Sequence, residues 1–183
     1  MNPYRTIWLS PKQTFNELIL TKNSQPLYGI PLFILGLSLG INISHVMGSV
    51  FGEGDTIIGI ITGIIISTAL IFLFLGFIYP WLLRIIGSLW NGKGTLNQLT
   101  NVVSISFIPY GIIVSFQILL LSFGLDPNSE KVYGGLTIVV SMWTLSLFII
   151  GVSKIQGFSY GFALLNILMS QLPFLLLRLA LRS

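Results

Sequence analysis

Five apolar stretches, near residues 28–49, 57–79, 102–124, 132–153 and 160–181, are separated by short segments that hold nearly all the charge. Each reaches the roughly 20 residues that a helix needs to cross the hydrocarbon core of a bilayer. The backbone in such stretches must satisfy its own hydrogen bonds, which leaves helices as the spanning element. The expected fold class is therefore an all-α integral membrane protein: five transmembrane helices in one bundle plus a short N-terminal interfacial helix. A soluble fold is excluded on area alone, because 54% of the 183 residues are hydrophobic and 8% are charged, against about 25% charged in soluble domains. The first stretch begins near Leu27 after a polar lead-in and lacks a small-x-small cleavage pattern. It is expected to be retained rather than removed as a signal. The chain then divides into a lead-in over 1–26 and a helical domain over 27–183.

Lys and Arg set the orientation of such a bundle. Arg5, Lys12, Lys22, Arg84, Lys93 and Lys154 fall on one side, and Lys131, Arg178 and Arg182 on the other. The larger group predicts a cytoplasmic N-terminus and an outside C-terminus. Tyr28, Tyr133 and Tyr160 at span starts, with Tyr79 and Trp81 at the end of the second span, read as interfacial aromatic belts. In the lead-in, Ser10, Pro11 and Gln13 have the pattern of a capping box, and Phe15, Leu18 and Ile19 share a face. That predicts a helix over 10–22 lying in the interface, with Ile7, Trp8 and Leu9 just upstream. A straight helix from Ile57 to Trp90 would be about 50 Å long, too long for the core, so Pro80 is expected to kink it and Arg84 to mark its exit.

Small residues recur at every fourth position in the first span (Gly36, Gly40, Ser44, Gly48) and again in the second (Gly59, Gly63, Ser67). Lipid supplies no hydrophobic force between helices, so such stripes allow the close backbone approach that packs them. The short 50–56 loop predicts an antiparallel hairpin with the stripes facing; the alternative is that one stripe serves a homodimer. Pro109 and Pro173 interrupt later spans, either as plain kinks or as broken-helix binding sites.

Candidates for chemistry are few. The run 87–94, GSLWNGKG, approaches a phosphate-binding loop, but Gly94 stands where a metal-binding hydroxyl is needed and no strand precedes it. It reads instead as a Gly-flanked turn into a helix capped by Thr95, with Gln98 completing a capping box. His45 has no Asp, Glu or Cys partner within its span, leaving interhelical hydrogen bonding or a proton-sensing group. Asn42, Gln117, Asn166 and Gln171 are uncharged polar groups inside spans: interhelical glue, or the lining of a polar path. No Asp, Glu or Lys lies deep in a span, which speaks against an ion-coupled transporter. With no Cys there is no thiolate chemistry. No catalytic residue, metal ligand or cofactor site is assigned.

Three pieces carry a resemblance: 2–15 (NPYRTIWLSPKQTF), 92–99 (GKGTLNQL) followed by Ser106-Phe107-Ile108-Pro109, and 151–166 (GVSKIQGFSYGFALLN). In that order and spacing the chain resembles the YIP family (Ypt/Rab-interacting proteins), in its compact bacterial branch. The resemblance implies five spans with a cytoplasmic N-terminus and a bacterial inner membrane location. Eukaryotic members associate with prenylated Rab-type GTPases and with each other. This chain departs from their Asp-Leu-Tyr-Gly-Pro signature, having Pro26-Leu27-Tyr28-Gly29-Ile30-Pro31 without the acid. Rab binding is therefore not carried over.

The reading is a non-enzymatic membrane protein that organises membrane or partner proteins. Its partners would be lipids, anionic ones included, and a protein partner or a second copy, with no nucleic acid. Lys12, Lys22, Arg84 and Lys93 would form its basic cytoplasmic face. The competing reading is a small permease or lipid-translocating protein. Convergence of the four polar span residues on one cavity would favour it, and pairing them off separately would count against it.

Overall fold

The computed structural model describes residues 3–20, 29–37, 40, 57–123 and 131–180. Among them the chain is helical, in the order α1 (Pro3–Leu9), α2 (Pro11–Leu20), α3 (29–37), α4 (Ile57–Leu73), a π-helical turn (Phe74–Ile78), α5 (Tyr79–Ser88), α6 (Leu96–Ser106), α7 (Ile108–Ser122), α8 (Lys131–Gln156) and α9 (Tyr160–Ala180). Four of the described helical runs are long and apolar enough to cross a membrane: Ile61–Ser88, Leu96–Phe116, Gly134–Gln156 and Tyr160–Ala180. The protein is thus a multi-pass membrane protein. Most of the first predicted span, including Asn42, Ser44, His45 and Gly48, lies outside the described residues, as does Lys22.

The bundle is built around α6. Its residues Leu99–Ser106 are buried without interruption, polar Thr100, Asn101, Ser104 and Ser106 among them. Of the most apolar 18 residues of the Leu96–Phe116 run 67% are buried, against 28% or less for the matching stretches of the other three, so this helix is the axis on which they assemble. Thr95 opens it with the full capping box: its hydroxyl accepts from the Gln98 N–H, and the Gln98 side chain accepts from the Thr95 N–H.

The second span departs from a straight helix before Pro80, not at it. Proline cannot donate to the carbonyl four residues back, and its ring crowds that carbonyl. The chain answers with the π turn, in which the Tyr79 N–H reaches the Phe74 carbonyl. The Gly76 carbonyl that Pro80 leaves free accepts from Thr100 Oγ1 of α6 at 3.1 Å. Freed backbone groups in membranes are characteristically recovered this way, by a hydroxyl from a neighbouring helix. The helix then runs on as α5 to Ser88. The two later prolines behave differently. At Pro109 the helix breaks, with Phe107 (φ −84°, ψ −2°) between α6 and α7. Pro173 sits inside a continuous α9.

The hairpin of α3 and α4 is antiparallel. A Cβ on Gly36 would stand 3.0–3.3 Å from Thr68, and one on Gly40 would stand 3.1–3.3 Å from Ile64 and Ser67. Four residues forward from Gly36 is thus four residues back on α4. Gly63 and Ser67 are buried, while the neighbourhood of Gly59 is outside the described side chains.

At the N-terminus the structure refines the expected interfacial helix. The helix expected over 10–22 is α2, with α1 before it, and the pair covers protein: Ile7 and Phe15 are fully buried in the core with Leu99, Val102 and Leu147. Gly151 of α8 admits the Phe15 ring, which a Cβ there would meet at 3.0 Å. Thr14 Oγ1 donates to Thr6 Oγ1 at 2.8 Å and ties the two helices together. The belt reading is corrected at Tyr79, which is 2% exposed and faces protein, where Gln171 Nε2 donates to its hydroxyl at 2.9 Å. Trp81 and Tyr160 are about half exposed.

Candidate functional site

The chain passes one end of the bundle three times: at α1–α2, at the 89–95 loop and at the α8–α9 turn. The 89–95 loop is tied to this end by Gln156, the last residue of α8 and 2% exposed. Its Nε2 donates to the Leu83 carbonyl at 3.1 Å, and its Oε1 accepts from the Gly94 N–H at 3.1 Å. Its backbone carbonyl accepts from the Lys93 N–H at 3.2 Å. Gly87 at the end of α5, with Gly92 and Gly94 of the loop, leaves the room that this carboxamide fills. A Cβ on Gly87 or Gly92 would collide with it, and one on Gly94 would meet Ile155 Cγ2 at 2.9 Å and Gln156 Oε1 at 3.1 Å. Asn91 completes the turn in the left-handed region (φ +59°), which asparagine tolerates. Trp90 braces the loop from the other side, its ring centroid 6.4 Å from that of Phe158 and 6.2 Å from that of Phe162.

The α8–α9 turn is equally tied. Ser153 Oγ donates to the Phe158 carbonyl at 2.6 Å, the Phe158 N–H returns to the Ser153 carbonyl at 3.0 Å, and Gly157 takes φ +75°. Beside it a groove of about 640 Å³ is lined by Asn16, Ser153, Lys154, Ser159 and Tyr160 among others. Lys12 Nζ lies 5.9 Å from the Tyr160 ring centre, close enough for a cation–π contact. Among the described residues this end carries Arg5, Lys12, Arg84, Lys93 and Lys154 against a single acid, Glu17. All of these cations are exposed except Lys154, which is half-buried. Lys12, Arg84 and Lys93, drawn from three separate stretches, thus share one end of a tied framework.

The polar span residues are not gathered together. Asn166 is fully buried and donates from Nδ2 to the Leu83 carbonyl at 3.2 Å, beside Gln156. Gln171, more than a turn further along α9, goes to Tyr79 instead. The Gln117 side chain and Asn42 are outside the described set. Gln156 was missed by sequence reasoning, although it sits inside the 151–166 stretch that carries the family resemblance. Among the described residues no three His, Cys, Asp or Glu side chains group as metal ligands would.

Comparison with protein families matches the Yip1 domain over residues 5–181, nearly the whole chain. Curated proteins and solved structures returned no match.

Proposed function

The chain belongs to the Yip1 domain family, and we propose that it is a non-enzymatic membrane protein organising lipids or partner proteins through its basic end. That end is read as cytoplasmic, from the excess of Lys and Arg on it. The observation that carries the proposal is the Gln156 clasp. A loop bearing Lys93 is held by hydrogen bonds to buried groups, next to an N-terminal pair of helices anchored in the core. Cations on a fixed framework can present a defined pattern to anionic headgroups or to an acidic protein surface. Each cation near an anionic membrane contributes about 1 kcal/mol.

The permease reading is weaker, because Asn166 and Gln171 pair with separate partners rather than facing one polar path. The proposal is tested by reconstituting the wild type and a variant with Lys12, Lys22, Arg84 and Lys93 all changed to Gln into mixed anionic and zwitterionic vesicles. Quenching by brominated lipids of either class then reports the lipid next to the protein. Preference for anionic lipid should fall in the variant and fall with salt for the wild type. An identical, salt-independent preference in both proteins would remove the lipid half of the proposal.

A further inference from the structure

A second cavity, of about 270 Å³ and open on one side, lies where the π turn, the α6–α7 break and the middle of α8 meet. Phe74, Tyr79, Phe107, Tyr110 and Phe148 contribute rings to its wall. Tyr79 and Phe107 both lie against Phe148, with centroid separations of 5.7 and 6.3 Å. Thr144 also lines it. Thr144 is 6% exposed, and its Oγ1 is buried with no hydrogen-bond partner. An unmade hydrogen bond at a buried hydroxyl calls for an explanation, and an absent ligand is one. Tyr79 adds a second free proton, because its oxygen accepts from Gln171 Nε2 while its own O–H remains to donate.

The cavity therefore offers the Thr144 and Tyr79 hydroxyls among aromatic rings, with Ser141 and Tyr110 also in its lining and no charged side chain there. That donor set calls for a neutral molecule rich in acceptors, because a charge at this depth would be costly. Thr144 falls near the middle of the 26-residue α8, far from either headgroup layer. A phospholipid or fatty acid keeps its oxygens at the surface and would bring only methylene groups to these donors. The space equals about nine water volumes at roughly 30 Å³ each, enough for one substituted ring. Half-exposed Leu145 in the lining gives an attached tail a way out to lipid.

We propose that this cavity binds a neutral, membrane-dissolved flat ring bearing carbonyl oxygens, of the quinone class. Thr144 and Tyr79 donate to the oxygens, and the aromatic wall packs on the ring. The proposal is independent of the basic end.

The test uses the full-length protein in lipid nanodiscs and decylbenzoquinone with a photoreactive azide on its tail. Labelling should saturate, map to peptides carrying Thr144 and Tyr79, and be competed by plain decylbenzoquinone but not by decylbenzene. Thr144→Val keeps the side-chain shape and should weaken binding by roughly 5–10-fold, the loss of one hydrogen bond. Ser141→Leu should fill the cavity and abolish labelling; if that variant does not fold, Thr144→Val alone decides. Labelling that never saturates, that decylbenzene competes equally well, or that is unchanged in Thr144→Val would overturn the proposal, leaving a pocket for acyl chains.

Discussion

Replacing Gly87 with Ala tests the clasp most sharply, because the cost should depend on a residue far away in sequence. The new methyl would overlap Gln156 Nε2, with Gln156 Cδ at 2.9 Å and Asn166 Nδ2 at 3.0 Å. Overpacking of this kind costs about 1–3 kcal/mol. Gln156→Ala removes the obstacle but breaks two side-chain hydrogen bonds. The Leu83 carbonyl keeps its bond from Asn166, so that loss is about 0.5–1.5 kcal/mol. The buried Gly94 N–H is left without its partner, at about 1–3 kcal/mol. Gln156→Ala should therefore cost roughly 1.5–4.5 kcal/mol by itself, from those two terms. In the double variant the methyl enters space that the carboxamide has vacated, and only the Asn166 contact remains tight. The two changes should then cost about 1–2 kcal/mol less together than their sum, well outside the few tenths expected of independent sites. Unfolding in mixed micelles under increasing SDS, followed by circular dichroism, measures all four corners of the cycle. Strict additivity would refute the claim that Gly87 makes the room in which Gln156 sits.

Other outcomes follow from the packing. Phe15→Ala should cost about 3–5 kcal/mol in the same unfolding assay, because it empties a fully buried site between α6 and α8; a loss under about 1 kcal/mol, the range of a surface change, would mean that the N-terminal helices rest on the bundle without supporting it. Gly36→Val should destabilise by roughly 1–3 kcal/mol, since its Cβ would meet the Thr68 backbone, whose Cα lies 3.1 Å away. A homodimer role for that stripe would instead show as an altered oligomer size at unchanged monomer stability. The chain has no Cys, so single cysteines are clean reporters. Lys93→Cys should react with an impermeant maleimide only from the cytoplasmic side, and Phe123→Cys only from the other.

How much of this was legible in the sequence divides along sequence distance. The capping box at Thr95 and Gln98 is three residues across, and the sequence pattern alone located it. Apolar run length placed the last two spans within a few residues, because it measures what the bilayer requires. In the third span the apolar run starts only near 102, whereas the helix starts at Leu96 as the Thr95 cap indicated, since α6 opens with polar residues of which the bundle buries Thr100 and Asn101. Lipid and protein interior are equally apolar, so hydropathy could not say which face of a spanning helix meets its neighbours. Tyr79 was assigned to the interface for that reason and lies instead against Gln171. The Gln156 clasp was beyond local reading: its side-chain partners Gly94 and Leu83 are 62 and 73 residues away. The glycines at 87, 92 and 94 were visible as a turn, but what they make room for comes from another helix. The relief of Pro80 was hidden likewise, since Thr100, which takes up the Gly76 carbonyl, belongs to α6.

The most direct test of the organising role is to extract the wild type and the Lys12, Lys22, Arg84 and Lys93 to Gln variant in native lipid discs. Mass spectrometry then identifies what travels with each, against an unrelated five-span protein as control. The account predicts a stoichiometric protein partner or an enriched anionic lipid with the wild type, lost or sharply reduced with the variant. The same companions in equal amounts with both proteins, or none beyond the control with either, would contradict it.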